Sequence, residues 1–175
     1  SKIANTVSVP VSVDLERGYA HDLPHLEEHI KRLLDTGAIG INIEDSLGDK
    51  NGLQSVAEQC RIIATIRNAA GRYGVELFIN ARTDVYLYAP TELSLGETIK
   101  RGKAYKDAGA DCFYPILLNN MNELNTLVTE VAMPVNVLLT KPLAELKRLE
   151  DIGIKRVSLG PGVLKYAITR IRNMA

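Results

Sequence analysis

Three times in this chain a short apolar run is entered through the same device. "DTGAIGI" (35–41), "DAGADCF" (107–113) and "DIGIKRV" (151–157) each read Asp-x-Gly and then at once a strand-like stretch. Gly37, Gly109 and Gly153 are placed just past a helix, where a left-handed backbone suits glycine. A repeated helix-to-strand turn demands helices and strands in alternation, and the rest of the chain supplies them. The strand-like runs are "VSVPVSVDLE" (7–16), "AIGINIED" (38–45), "VELFINARTD" (75–84), "ADCFYPILL" (110–118), "MPVNVLL" (133–139) and "KRVSLG" (155–160). Helix-like segments fall at roughly 24–35, 54–72, 94–108, 121–131, 141–151 and 161–173. Such alternation means βα units around a parallel sheet. A closed (β/α)8 barrel needs ~250 residues, whereas the chain has 175. These six units are therefore about two short of a closed barrel. A piece of a larger barrel and an open α/β sheet both fit at this level.

The balance of 46% hydrophobic and 24% charged residues is that of one globular domain, residues 1–175. No apolar run approaches the length of a membrane span. Basic and acidic residues number 21 each, without a basic stripe, which argues against nucleic acid as a partner. Cys60 and Cys112 lack a CxxC spacing, so a reducing, cytoplasmic setting without a disulfide is expected. No signal peptide is visible, and the chain begins without Met, so the natural N-terminus is expected upstream.

In α/β folds, sites gather where strands end. The first run closes on Asp14 and Glu16, the second on Glu44 and Asp45, the third on Arg82 and Asp84; Asn136 lies in the fifth, and Ser158 and Gly160 close the sixth. Buried charge is unfavourable unless paired or bound to a cation. Asp14 and Glu16 are two apart and share a face, whereas Glu44 and Asp45 are neighbours, so only one of them can point at a barrel axis. Asn42 shares parity with Glu44, and Asn80 with Arg82. The expected interior set is Asp14, Glu16, Glu44 and Arg82. Three carboxylates near one axis repel, and a hard cation on oxygen-only ligands, magnesium or manganese, relieves that repulsion. Arg82 then offers a planar fork to a substrate carboxylate. The plainer role for each acid, a helix cap or a local ion pair, stays open.

"PVSVDLERGY", "GAIGINIEDS", "FINARTDVYL", "AYKDAGADCFYP", "PVNVLL" and "RVSLGPG" resemble, in that order, motifs of the isocitrate lyase/phosphoenolpyruvate mutase superfamily, in its mutase-like branch. The resemblance covers nearly the whole chain. It implies a (β/α)8 barrel of which strands three to eight are present, so that this chain is an incomplete version of a longer protein. It further implies a Mg²⁺-dependent carbon–carbon lyase, or a phosphonomutase- or hydrolase-like enzyme, that acts on a small keto-acid through an enolate. A homo-oligomer is implied for the full-length protein. By resemblance, Asp14, Glu16 and Glu44 fall on metal-site positions, and Asp14 and Arg82 are the catalytic candidates. Many members have Asp at position 16. The lyase branches carry a Lys-Lys-Cys-Gly type motif after the second of these strands. Here "SLGDKNGLQ" (46–54) is short and has no cysteine, and Cys60 is expected in the core. Asn51 is a candidate lid residue. The alternative is a catalytically silent barrel relative, or truncated fragment, with a scaffold or oligomerisation role. A Schiff-base aldolase would need a lysine well inside a strand, and Lys155 only begins one.

All three histidines lie in "HDLPHLEEH" (21–29). His25 and His29 share a helical face, but Pro24 opens the helix and leaves His21 outside it, so a solvated face is the favoured reading over a metal site. Pro161 in "GPG" (160–162) suits a helix start that offers an anion site or a plain turn. Tyr86 and Tyr88 fit either packing or a pocket mouth.

Overall fold

The structure, a computed structural model, describes residues 2–48, 52–88, 93–143 and 145–174. Six strands run in parallel: β1 (Ser12–Asp14), β2 (Gly40–Glu44), β3 (Phe78–Thr83), β4 (Cys112–Pro115), β5 (Asn136–Leu138) and β6 (Arg156–Ser158). Each strand lies beside the next one in sequence. A parallel bridge between Phe113 and Val135 carries the order β1-β2-β3-β4 on to β5-β6. Sequential parallel pairing with a helix after each strand is the arrangement of a (β/α) barrel, here as a segment of six units.

Between the strands lie α2 (Leu23–Leu34), α3 (Val56–Arg72), the short α4 (Val85–Tyr88), α5 (Ser94–Asp107), α6 (Met121–Val131) and α7 (Leu146–Asp151). Two further helices, α1 (Lys2–Thr6) and α8 (Gly162–Arg172), flank the sheet in sequence. The alternation expected from sequence is present, with strands trimmed at their ends. The largest difference is at the start. Val7–Pro10 is not strand, because Pro10 has no N–H to give a ladder, and pairing begins only at Ser12.

Side-chain capping fixes the starts of α2, α3 and α6. The Asp22 carboxylate accepts from the His25 N–H at 2.9 Å, with Pro24 in the first turn. Ser55 caps α3 through the Glu58 N–H at 3.1 Å. Asn120 caps α6 through Asn122 and Glu123. Helix ends follow the repeated turn: Gly37, Gly109 and Gly153 have φ of 83°, 107° and 92°, a region L-residues avoid.

The sheet has two chemically different faces. Toward the helices it presents Ile41, Ile43, Ile79, Ala81 and Phe113, all fully buried. These pack against Leu26, Ile30, Ile63, Ile66, Leu124 and Leu127 from the helices, which recur at three- and four-residue spacing. The concave face carries Asn42, Glu44, Asn80, Arg82, Tyr114, Asn136 and Ser158, at alternate positions along the strands. The apolar core thus sits between sheet and helices, and the polar side chains line the inside. No helix among the described residues is long and apolar enough to cross a membrane.

Candidate active site

Parallel register sets the concave side chains in rows. Asp14 pairs with Asn42, and Asn42 with Asn80; one step on, Glu44 pairs with Arg82, and Arg82 with Tyr114. In the first row, Asn80 Nδ2 donates to Asn42 Oδ1 at 2.9 Å, and Asn42 Nδ2 donates to Asp14 Oδ1 at 3.2 Å. In the second, Arg82 Nη1 meets Glu44 Oε2 at 2.9 Å. On its other side Arg82 makes a fork to Asp84, Nε to Oδ1 at 2.6 Å and Nη2 to Oδ2 at 2.9 Å. Ser46 Oγ donates to Glu44 Oε1 at 2.6 Å. A cavity of about 580 Å³ opens over both rows, with Asp14, Asn42, Asn80 and Arg82 on one wall and Tyr114 and Arg156 also facing it.

Burial works against the Arg82 charge, but the hydrogen bonds and charge of Asp84, together with Glu44, outweigh it and hold the guanidinium above its ordinary pKa. Burial raises the pKa of Asp84, and the Arg82 contact pulls it back only in part. The guanidinium has five N–H donors. Two of them are given to Asp84 in hydrogen bonds, and the Nη1 group is ion-paired with Glu44.

The second acid of "IED" does something else. Asp45 has 0% of its surface exposed and points to the helix side. Its Oδ2 accepts from Thr83 Oγ1 at 2.7 Å, Arg101 Nη1 at 2.9 Å and Tyr105 Oη at 2.7 Å, and its Oδ1 accepts from the Asp84 N–H at 2.9 Å. Burial first, then the Asp45 charge, pushes the Tyr105 hydroxyl pKa up, so it remains a proton donor to that carboxylate. Two neighbouring carboxylates are therefore accommodated by opposite faces of one strand. Glu44 meets Arg82 inside and Asp45 meets Arg101 outside.

Glu16 lies beyond the end of β1 with a left-handed φ of 47°, so the two-residue strand period stops short of it. The ladder itself continues, because its carbonyl accepts from the Glu44 N–H at 2.7 Å. Its side chain lines a second cavity of about 700 Å³ with Tyr19, His21 and Glu58. The Tyr19 hydroxyl bonds to Glu16, and that bond, burial and the charges of Glu16, Asp14 and Glu44 together raise its pKa. Asp14 and Glu16 thus line different cavities, and Glu44 is held by Arg82 and Ser46. Among the described residues, only His21, Asp22 and His25 bring three candidate ligand atoms within 4.8 Å of one another, and all three are exposed. Capping accounts for that cluster: Asp22 Oδ1 accepts from both the N–H and Nδ1 of His25. As expected, His21 precedes the helix; His29 Nδ1 is instead within 3.1 Å of the Gly18 carbonyl.

Two of the remaining candidates, Cys60 and Tyr86, make contacts outside the cavity. The Cys60 thiol faces the Ala104 carbonyl at 3.4 Å, and both cysteines are free. Tyr86 Oη donates to Glu123 at 2.7 Å, away from the cavity. Pro161, just before α8, is exposed and with Gly160 lines the cavity that Asp14 and Arg82 face. Asn51 lies outside the described residues. Sequence reasoning missed Arg101 and Tyr105 as partners of Asp45. They stand at i, i+4 on one buried face of α5 with Thr98 and Gly102, a spacing that marks a shared face but not its partner.

A barrel segment with a polar, carboxylate- and arginine-lined concave face at its strand ends has the form of a barrel enzyme site. The chain belongs to the phosphoenolpyruvate phosphomutase family, which it matches over residues 1–175. The isocitrate lyase/phosphoenolpyruvate mutase resemblance of its motifs is thereby established. The fold is similar to a crystal structure of a candidate phosphonomutase from Burkholderia cenocepacia, with TM-score 0.93 and 36% identity, covering 98% of this chain and 72% of that one. An uncharacterized protein of Mycobacterium tuberculosis is 34% identical over 150 residues, 86% of this chain and 54% of its own length. A 2-methylisocitrate lyase of Bacillus subtilis is 27% identical over 184 residues, 99% of this chain and 56% of its own. The chain spans about half the length of these curated relatives.

Proposed function

We propose that this chain is the site-bearing part of a Mg²⁺-dependent enzyme that cleaves or rearranges a C–C or P–C bond of a small α-keto or α-hydroxy carboxylate through a pyruvate-like enolate. The observation that carries this reading is Arg82. It is fixed between Glu44 and Asp84 and lines a cavity. A fixed guanidinium needs no reorganisation to meet charge that develops on an enolate oxygen.

The donor set suits the metal. Asp14, Glu16 and Glu44 offer only oxygen, which favours a hard cation. Asp14 is the direct ligand in this reading, because among the described residues its hydrogen bonds fall on Oδ1 alone. Glu16 and Glu44 would be the further carboxylates available to such an ion. When bound, Mg²⁺ supplies Lewis-acid charge to the substrate oxygens. Arg82 orients the substrate carboxylate, and the apolar backing of the sheet keeps bulk water out from behind.

A second reading, a catalytically silent relative with a scaffold or oligomerisation role, draws on α8. None of its residues is buried, and Val163, Leu164, Ile168 and Ile171 are all exposed. Oxalate, a stable mimic of the pyruvate enolate, separates the two. Calorimetric titration of the full-length protein should show oxalate binding that requires Mg²⁺ and is lost in Asp14→Ala. Absence of binding by the intact protein would reject the enzyme reading in favour of the scaffold.

A further inference from the structure

The amide row beside Asp14 has a fixed polarity. A carboxylate only accepts hydrogen bonds, so Asn42 must turn its Nδ2 toward Asp14, and its Oδ1 then faces Asn80. That oxygen takes the Nδ2 of Asn80 at 2.9 Å. The carbonyl end of Asn80 is left over. Its side chain is 1% exposed, yet Oδ1 finds no hydrogen-bond partner among the described residues, and the side chain lines the cavity that holds Asp14 and Arg82. A buried acceptor without a donor is unfavourable by ~1–3 kcal/mol, and an amide relay leading to the Asp14 carboxylate opposes a flip that would hide the oxygen.

Resting on the enzyme reading above, we infer that Asn80 is a specificity residue whose Oδ1 accepts a hydrogen bond from a hydroxyl of the bound acid. The unpaired group is an acceptor, so it selects a ligand that donates. A keto-acid or a dianionic oxalate has no such donor at neutral pH; a 2-hydroxy acid does. The site is thus built for a hydroxy-carboxylate over a keto-carboxylate of similar size. Asn42 acts differently, transmitting the polarity along the row and orienting Asp14.

The probes are malate, which carries one hydroxyl, and oxalate, which carries none, each titrated with Mg²⁺ into the full-length protein. The quantity read is the ratio of the two affinities. Removing a neutral acceptor that a ligand uses weakens binding by about tenfold. Asn80→Leu is expected to lower the malate-to-oxalate ratio by about that factor, and Asn80→Ala, which removes the same oxygen without added bulk, should do the same. Asn42→Asp still accepts from Asn80 but no longer donates to Asp14, so it should shift both affinities by one common factor and leave the ratio in place. A ratio unchanged in both Asn80 variants, or equally reduced in Asn42→Asp, overturns the assignment. Failure of the unaltered protein to bind oxalate with Mg²⁺ would instead remove the enzyme reading on which it rests.

Discussion

Replacing Asp45 by alanine should be among the most damaging single changes in this chain. The carboxylate is fully buried and accepts four hydrogen bonds, from Thr83, Asp84, Arg101 and Tyr105. Arg101 is itself 6% exposed, and the other acid it meets is Glu97 at 2.9 Å. Truncating one member of a buried ion pair strands the other, at a loss of ~3–5 kcal/mol. For a domain of this size ~2–4 °C of melting temperature accompanies each kcal/mol, so the midpoint should fall by roughly 6–20 °C. Asp45→Asn keeps one accepting oxygen and should lose about half as much. The double variant Asp45→Ala/Arg101→Met removes both charges together and should be less damaging than the two single changes summed, since contacting residues are not additive. Urea denaturation followed by circular dichroism reads all three, with the slope checked for constancy. An Asp45→Ala protein within about 1 kcal/mol of its parent would show that Asp45 and Arg101 are not a buried, mutually dependent pair.

Other outcomes follow from the same geometry. Arg82→Lys replaces a fork by a point charge; it should weaken Mg²⁺-dependent oxalate binding by about ten- to a hundredfold by calorimetry, the loss of charged hydrogen bonds worth ~1.5–3 kcal/mol. Gly102 lies where α5 meets α6: a Cβ there would stand 2.8 Å from Val131 and 3.1 Å from Phe113. Gly102→Ala should therefore destabilise by ~1–3 kcal/mol despite its better helix propensity. Gly96→Ala, on the same helix with open space around it, should be neutral or stabilising by up to ~1 kcal/mol in the same denaturation assay. Burial, the largest influence, pushes the Cys112 thiol up to about 11. The stability this contributes is fully present below the unfolded thiol's pKa of ~8.5 and is lost as pH rises through about 11. The melting temperature should thus decline across that alkaline window, and a Cys112→Ala protein should lack this part of the decline.

The alternation of units was legible because strands and helices impose different periods, and because Asp-x-Gly turns need a left-handed residue that glycine supplies. The rule that only one of Glu44 and Asp45 can face the axis was also legible, since it needs nothing but strand parity. The partner of the other acid was not. Arg101 and Tyr105 lie 56 and 60 residues further along, and nothing local ties them to β2. Pairing of that kind is decided by how helices settle on the sheet. Glu16 shows the limit of parity in a different way: its alternation was read past the point where the strand ends and the backbone turns left-handed. At the start of the chain, "VSVPVS" has the composition of a strand, but Pro10 lacks the donor that a ladder needs, and composition alone does not show where pairing begins.

The two faces of β2 are mechanically joined. Arg101 on an outer helix grips Asp45, Asp45 grips the backbone of Asp84, and Asp84 grips the inner guanidinium. The cavity floor is therefore tethered to the outside of the molecule by a short run of polar contacts crossing the sheet. A change on α5 far from any ligand can reach the interior by tilting that tether, so the outer layer shares in setting how firmly the inner arginine is aimed.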